Sequence, residues 1–475
     1  MSSRLLHIAL LTLVALLWTS GCASYSDSVR KAHTAVASSH PERAVEIINK
    51  QLEIKGSNQL PAELEDDNIL LLLERATVLQ SLGKYKLAAR DMMAVDDQLE
   101  FLDLTGANSA ELAKYMYSES SEDYRAPAYE RLLLNTLNMV NFIAIGDLEG
   151  AKVEARRFTI LEQFFLDNEE PAILSGILSL GNYVAGAVFE HSRDYQGAAR
   201  YYSRAYFYGI RSPSFRDRLV DLCYLSGYKP RELQAENGKE ALAEITEAVS
   251  INEEISFEEY RQKYMAGDTL VVVQTGLVPW RQAQRIPIVQ AMGYTSNARH
   301  HSFESDHQVQ LNMMVANGVI ESVNFPMLTT RDIPNDKSIS VTIAGTQKPI
   351  GADIDVASQV QTAYAHIMPG LMVAAITRLV TRVIAGQATE AAVDAAGGQS
   401  GLGFLAGLAV QGAMNAADTP DTRSWMTLPG RIRIVRTKLE AGAHNINVKI
   451  GNDTDPRPVT IHENSLNIVN FSRIR

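Results

Sequence analysis

The amino-acid sequence predicts an α+β protein in which an array of α-helices is followed by a sheet-rich, sandwich-like domain carrying a helical insertion. Three observations carry this reading. From about 29 to 262 proline is sparse and apolar residues recur at helical spacing, as at Leu133, Leu137, Val140 and Ala144, one stripe of an amphipathic helix. From Gly267 onward the period becomes two: Ile339, Val341 and Ile343 alternate with Ser340 and Thr342, and Ile446, Val448 and Ile450 with Asn447 and Lys449, as in strands buried on one face. Between about 353 and 417 the helical period returns, with Leu371, Ala375, Ile376, Leu379 and Val383 on one face.

Composition sets the frame for these elements. A chain of 475 residues, 46% hydrophobic and 21% charged, is an ordinary globular protein of two or three domains at roughly 150 residues each. Its net charge of −11 supplies no global field to attract nucleic acid. The only cysteines are Cys22 and Cys223, which excludes a disulfide framework and a four-cysteine zinc site.

The first element is a leader. Arg4 precedes an apolar run from Ile8 to Trp18, then Thr19, Ser20 and Gly21 before Cys22, an export signal too short to span a bilayer and stay there. A cysteine after a small-residue cleavage site resembles the lipobox of bacterial lipoproteins. That resemblance implies removal of residues 1–21 and acylation of Cys22, with Thr19 standing where leucine is usual. Ala23 in place of aspartate implies passage to the outer membrane. Residues 22–28 then read as the lipidated cysteine and a short polar tether.

Within 29–262 one turn recurs. Gly83, Tyr85 and Ala88 are echoed by Gly146, Leu148 and Ala151 and by Arg193, Tyr195 and Ala198, with internal offsets of two and five. The small residue is expected to let the second helix pack closely while the aromatic or leucine fills the hollow beneath. Around the last copy Gly186 stands seven before the turn, with Tyr202 and Ala205 four and seven after Ala198. His40, Pro41 and Ala44 make a fainter opening copy. These offsets resemble tetratricopeptide repeats, although the spacings between copies exceed that family's period. Such an array implies a concave surface that binds peptide segments or partner domains.

Residues 263–475 read as the sheet-rich domain. Leu270 to Val273, Ile432 and Ile434, Val459 to Ile461 and Leu466 to Phe471 add further strands, with a hairpin turn at Glu440 to Ala443, suggesting a small antiparallel sandwich. Residues 395–417 carry no charge and contain Gly403 and Gly407, a spacing used by transmembrane helices. The apolar run there is ten residues, where about 20 are needed to span, so a buried or oligomer-forming helix is expected.

A wider resemblance is carried by Tyr129-Glu130-Arg131, Gly146-Asp147, Val153-Glu154-Ala155-Arg156-Arg157 and the run Asp421-Thr422-Arg423-Ser424-Trp425-Met426-Thr427-Leu428-Pro429. The chain resembles a family of bacterial outer-membrane lipoproteins of tetratricopeptide type, which brings little biochemistry with it. The resemblance implies a lipid-anchored, periplasm-facing location and cooperation with a small lipoprotein similar to activators of penicillin-binding proteins. Read from chemistry alone, Asp421, Arg423 and Trp425 suggest a cation stacked on indole that pins the insertion to the sheet, with a ligand clamp built from the same three residues as the alternative; Pro429 closes the matching run.

No metalloprotease motif, phosphate loop or nucleophile elbow occurs, and no cofactor is expected. His300, His301, Glu304 and His307 are the candidate metal ligands, since imidazoles and carboxylates suit zinc; as a cluster in a polar stretch they read first as a solvated loop. The sequence therefore points to a non-enzymatic protein-binding scaffold of the cell envelope, in which a homo-oligomer is allowed. A cell-wall hydrolase is the alternative.

Overall fold

The computed structural model describes residues 25–65, 67–104, 124, 126–166, 171–230, 239–251, 255–295, 305–329, 339–395 and 420–474. The fold is mixed α+β, with helices in the first half and sheets in the second. Contacts divide the chain into two compact units. The larger is Arg30–Trp280, Thr330–Tyr364 and Ser424–Arg475, and the smaller is Met1–Val29, Arg281–Thr329 and Ala365–Arg423. The helical half and most of the strands thus belong to one unit.

In the larger unit four helix pairs follow one another: α1 (Arg30–Ala37) with α2 (Pro41–Gln51), α3 (Asp67–Ser81) with α4 (Tyr85–Leu104), α5 (Ala128–Ala144) with α6 (Leu148–Leu166), and α7 (Ser175–His191) with α8 (Tyr195–Tyr208). Helices α9 (Pro213–Ser226) and α10 (Lys239–Ile251) come after them. One backbone turn closes all four pairs. Ser39, Gly83, Gly146 and Arg193 have φ of 62°, 71°, 78° and 62°. Gly83 N–H donates to the Gln80 carbonyl and Lys84 N–H to that of Leu79, and the same two bonds recur from Ser39 and His40, Gly146 and Asp147, and Arg193 and Asp194. This left-handed cap satisfies carbonyls that the helix end would otherwise leave open.

The first position of the turn and its small residue serve two separate ends. A Cβ at Gly146 would meet nothing within 4 Å, so glycine serves the left-handed φ, not close approach. Ser39 and Arg193 adopt the same φ against a steric cost. Tyr85, Leu148 and Tyr195 at the second position are only half-buried. Close packing comes instead from Ala44, Ala88, Ala151 and Ala198, all fully buried, and from two glycines inside α7. A Cβ at Gly181 would lie 2.1 Å from the Phe158 ring of α6, and one at Gly186 would lie 2.2 Å from the Tyr202 ring of α8. Ala205 is buried one turn beyond Tyr202.

Two four-stranded sheets complete this unit. The first has the order β10-β1-β7-β6, made of β1 (Asp268–Leu277), β6 (Ala352–Asp355), β7 (Pro429–Lys438) and β10 (Asn467–Arg473). The second has the order β5-β4-β8-β9, made of β4 (Ile339–Ile343), β5 (Thr346–Lys348), β8 (Gly442–Ile450) and β9 (Asp453–Ile461). The expectation of purely antiparallel pairing fails in the first sheet, where β10 runs parallel to β1 with Thr269 opposite Asn467 and Val273 opposite Phe471. The chain leaves the second sheet at β9 and crosses to the first, so β10 is freed from hairpin geometry. Residues expected to open the helical insertion instead form β6, where Ala352 and Ile354 pair with Ile434 and Ile432.

The sheets share one apolar core, in which Val271, Val273, Val435 and Phe471 meet Ile339, Val341, Ile343, Ile446, Val448 and Ile450. Strand β1 is buried at all ten positions, so its opposite face is covered as well. The cover is the helical array.

The smaller unit contains an antiparallel ribbon of β2 (Arg281–Pro287) and β3 (Ser322–Leu328). Around it stand α11 (Ile288–Thr295), α12 (Ser305–Ala316) and the greater part of α13 (Val356–Ala395). The stretch Val356–Ile384 has a window of mean hydropathy 1.6 and is long enough to cross a membrane. Its apolar face, Leu371, Met372, Ile376, Val380 and Val383, is buried within the protein. Residues 396–417, with Gly403 and Gly407, lie outside the described residues. Tyr25–Ser28, read from sequence as part of a polar tether, is one helical turn with Tyr25 and Ser26 buried.

Candidate functional site

The first helix of each later pair is buried around its whole circumference, charged side chains such as Glu74, Glu130 and Glu190 included. Helix α5, expected to be amphipathic, is buried at every position from Ala128 to Ile143, and α7 from Ile177 to Glu190. A helix buried all round has neighbours on every side. On one side these are its partner helices; on the other they are the protein's own strands, β10 against α3 and α5 and β6 against α7. The inner face of the array, where a concave groove was expected, is filled by the same chain.

Residues 424–428 seal this inner face. Trp425 is 1% exposed, and its indole Nε1–H donates to Thr77 Oγ1 of α3 at 2.9 Å while its backbone N–H donates to Glu130 Oε1 of α5 at 3.0 Å. Met426 and Thr427 donate their N–H groups to the two oxygens of Glu74 at 2.7 and 2.9 Å. Burial pushes the Glu74 carboxyl up to about 7, although the bonds from Thr427 and Met426 pull the other way. Beside it Gln274 of β1 donates to Gln80, which in turn donates to Asn141 of α5.

A second buried cluster stitches helices to strands. Arg436 of β7 reaches Asp268 of β1 at 2.5 Å and Glu190 of α7 at 2.9 Å. Arg218 of α9 reaches the same carboxylates at 2.9 and 3.2 Å, and His191 Nε2 stands 3.0 Å from Asp268. Tyr202 donates to Glu190, as does Tyr260. Two guanidiniums against two carboxylates leave no net charge from those four groups. Burial alone would raise the Asp268 carboxyl, but Arg218 and Arg436 outweigh it and hold it well below the usual range. The two carboxylates are 0% and 1% exposed and the two guanidiniums 8%, so the arrangement holds layers together.

What faces solvent is the outer surface of the array. Between α6 and α8 a groove of about 480 Å³ is lined by Arg156, Ile160, Phe189, Arg200, Tyr201 and Arg204. Arg156 and Arg200 are exposed, Arg204 is tied to Glu162 at 2.9 Å, and Ile160 is 69% exposed at the rim. Val153 on α6 and Met93 on α4 add exposed apolar surface. A cleft of about 630 Å³ opens beside the outer edges of β9 and β10. There Pro456 and Pro458 lack N–H donors, and Arg457 donates to the Asn470 carbonyl at 2.7 Å, devices that blunt a sheet edge against strand addition.

No protein-family model, curated protein or solved structure matches the chain. Its functional reading therefore starts from this geometry.

Of the residues singled out by sequence, Asp421 and Arg423 form a chelate in the smaller unit. Arg423 donates to Asp421 from its backbone N–H, Nε and Nη2, each at 2.9 Å. Burial pushes Asp421 up, but Arg423, with Arg281 behind it, holds the carboxyl below its usual range. Trp425 belongs to the larger unit with the partners given above, and Pro429 begins β7. Cys22, His300, His301 and Glu304 lie outside the described residues; His307 falls within α12, with its side chain outside them. Among the described residues no three His, Cys, Asp or Glu side chains are grouped to hold a metal. Sequence reasoning missed Glu74, Glu190, Arg218, Asp268 and Arg436. A usable signal existed for Glu74, which interrupts the run Ile69 to Leu79.

Proposed function

We propose that this protein is a lipid-anchored, periplasm-facing lipoprotein of the bacterial outer membrane that holds a protein partner in cell-envelope assembly or maintenance. In this reading the helix pairs are a tetratricopeptide-like array and the two sheets a sandwich-like module. Because the chain's own strands occupy the inner face of the array, the partner sits on the outer face. The observation that supports this is the α6–α8 groove, whose lining brings exposed Ile160 together with Phe189, Tyr201 and the exposed Arg156 and Arg200, Asp194 being the acid among them. Apolar anchors rimmed by arginine are what partner surfaces use most. The arginines suit an acidic segment, and a small lipoprotein similar to activators of penicillin-binding proteins is the partner the family resemblance brings forward.

A photo-crosslinking residue placed at Ile160 in intact cells tests the reading. One defined protein adduct is expected, lost in the double variant Arg156→Glu/Arg200→Glu while the melting temperature stays within about 2 °C, since surface substitutions change stability little. An adduct pattern indifferent to the charge reversal would remove the groove from the account. Saturable hydrolysis of peptidoglycan fragments by the purified protein would replace the scaffold by an envelope hydrolase.

A further inference from the structure

The short helical turn Tyr25–Ser28 is docked within the smaller unit. Tyr25 and Ser26 are 6% and 8% exposed. Ser26 N–H donates to Thr422 Oγ1 at 3.3 Å, a bond across 396 positions of sequence, and Ser28 Oγ donates to the Tyr25 carbonyl at 2.7 Å. Thr422 is itself buried. The residues on either side of it, Asp421 and Arg423, are locked to each other by the three bonds given above, so the acceptor is presented by a rigid loop.

We propose that this contact clamps the lipid anchor to the protein body, making the loop Asp421–Arg423 and the adjoining start of β2 a surface held against the bilayer. The inference rests on the lipoprotein reading of Cys22 and goes beyond it. Its support is the length of free chain. Only Ala23 and Ser24 separate Cys22 from Tyr25, and three residue steps reach at most about 10 Å. A flexible leash of thirty residues would let a body wander roughly 30 Å from its anchor. The partner of this surface is the lipid bilayer, reached through the acyl chains on the cysteine. The Asp421–Arg423 pair thereby acquires a task that stacking on Trp425 does not assign to it: it stiffens the dock.

The test uses the lipidated full-length protein in phosphatidylethanolamine–phosphatidylglycerol vesicles, with a fluorophore on Gln282→Cys, an exposed position beside Arg281. Cys223 is buried with its thiol pushed up to about 12 by burial, and the Cys22 sulfur is consumed by acylation, so the label goes to one place. Strong quenching by headgroup nitroxide lipid is expected. Inserting twelve Gly/Ser residues between Ser24 and Tyr25, which adds roughly 20 Å of slack on its own, should cut the quenching by about half or more at equal palmitate incorporation. Thr422→Val, which removes the acceptor and keeps the shape, should weaken it in the same direction. Palmitate incorporated with a label that is unquenched, or equally quenched with and without the insertion, overturns the dock and leaves the lipoprotein reading standing. Absence of palmitate overturns that reading and the dock with it.

Discussion

At the scale of single residues, glycine does two different jobs in this protein, and each makes its own prediction. Gly83 and Gly146 supply a left-handed φ in open space, whereas Gly186 keeps the Tyr202 ring flat against α7. Gly186→Ala should therefore lower stability by about 1–3 kcal/mol or more through overpacking, despite alanine's better helix propensity. Urea unfolding checks this, and an unchanged midpoint would mean the two helices separate easily at that level. Buried acids make a second prediction. Burial, with Asp96 beside it, pushes Glu154 up to about 7, and burial pushes Glu74 to a similar value. Folded-state values above the unfolded ones mean that the folded protein retains protons which the unfolded chain has released. Stability from these groups is thus greatest below about pH 4.5 and falls as pH rises through 7, by up to about 3 kcal/mol for each. Glu154→Gln should flatten that fall when denaturation midpoints at pH 5 and 7.5 are compared. An unaltered slope would show that Glu154 is ionised throughout.

Elements are joined here by polar cement as much as by apolar packing. The Arg218–Arg436–Glu190–Asp268 cluster draws on α7, α9, β1 and β7, so it reports on the docking of array to sheet. Arg436→Leu would leave Asp268 and Glu190 to share Arg218 in a buried site, and a loss of about 3–5 kcal/mol is expected. A loss under about 1 kcal/mol would mean that water or rearrangement compensates the acids. The repeated turn belongs to this scale too. Its offsets were legible in sequence because Ala88, Ala151 and Ala198 must be small to fit a fully buried helix contact. The function of its first position was not legible, since glycine in a string looks the same whether it serves φ or proximity.

For the molecule as a whole, the decisive fact is that the larger unit consumes its own concave face. An array that would ordinarily offer α3, α5 and α7 to a partner offers them to β6, β10 and the segment around Trp425. Its outward surfaces, with Ile160, Arg156 and Arg200, are what remains exposed. The smaller unit likewise buries the apolar face of α13 within the protein. Protein lacking residues 1–22 should consequently remain soluble without detergent. Aggregation relieved by deleting 396–417 would instead assign that segment to lipid.

The sequence by itself determined the helical and strand periods, the boundary between them near Gly267 and the recurring turn. Those are local properties, fixed by side-chain spacing of 3.6 or 2 and by which residues tolerate a left-handed φ. Only the tertiary structure decided that β10 runs parallel to β1, that Tyr25–Ser28 is docked, and that Trp425 closes on Thr77 at a separation of 348 positions. Each of these depends on groups far apart in the chain that are paired because burial leaves a polar atom no water to turn to.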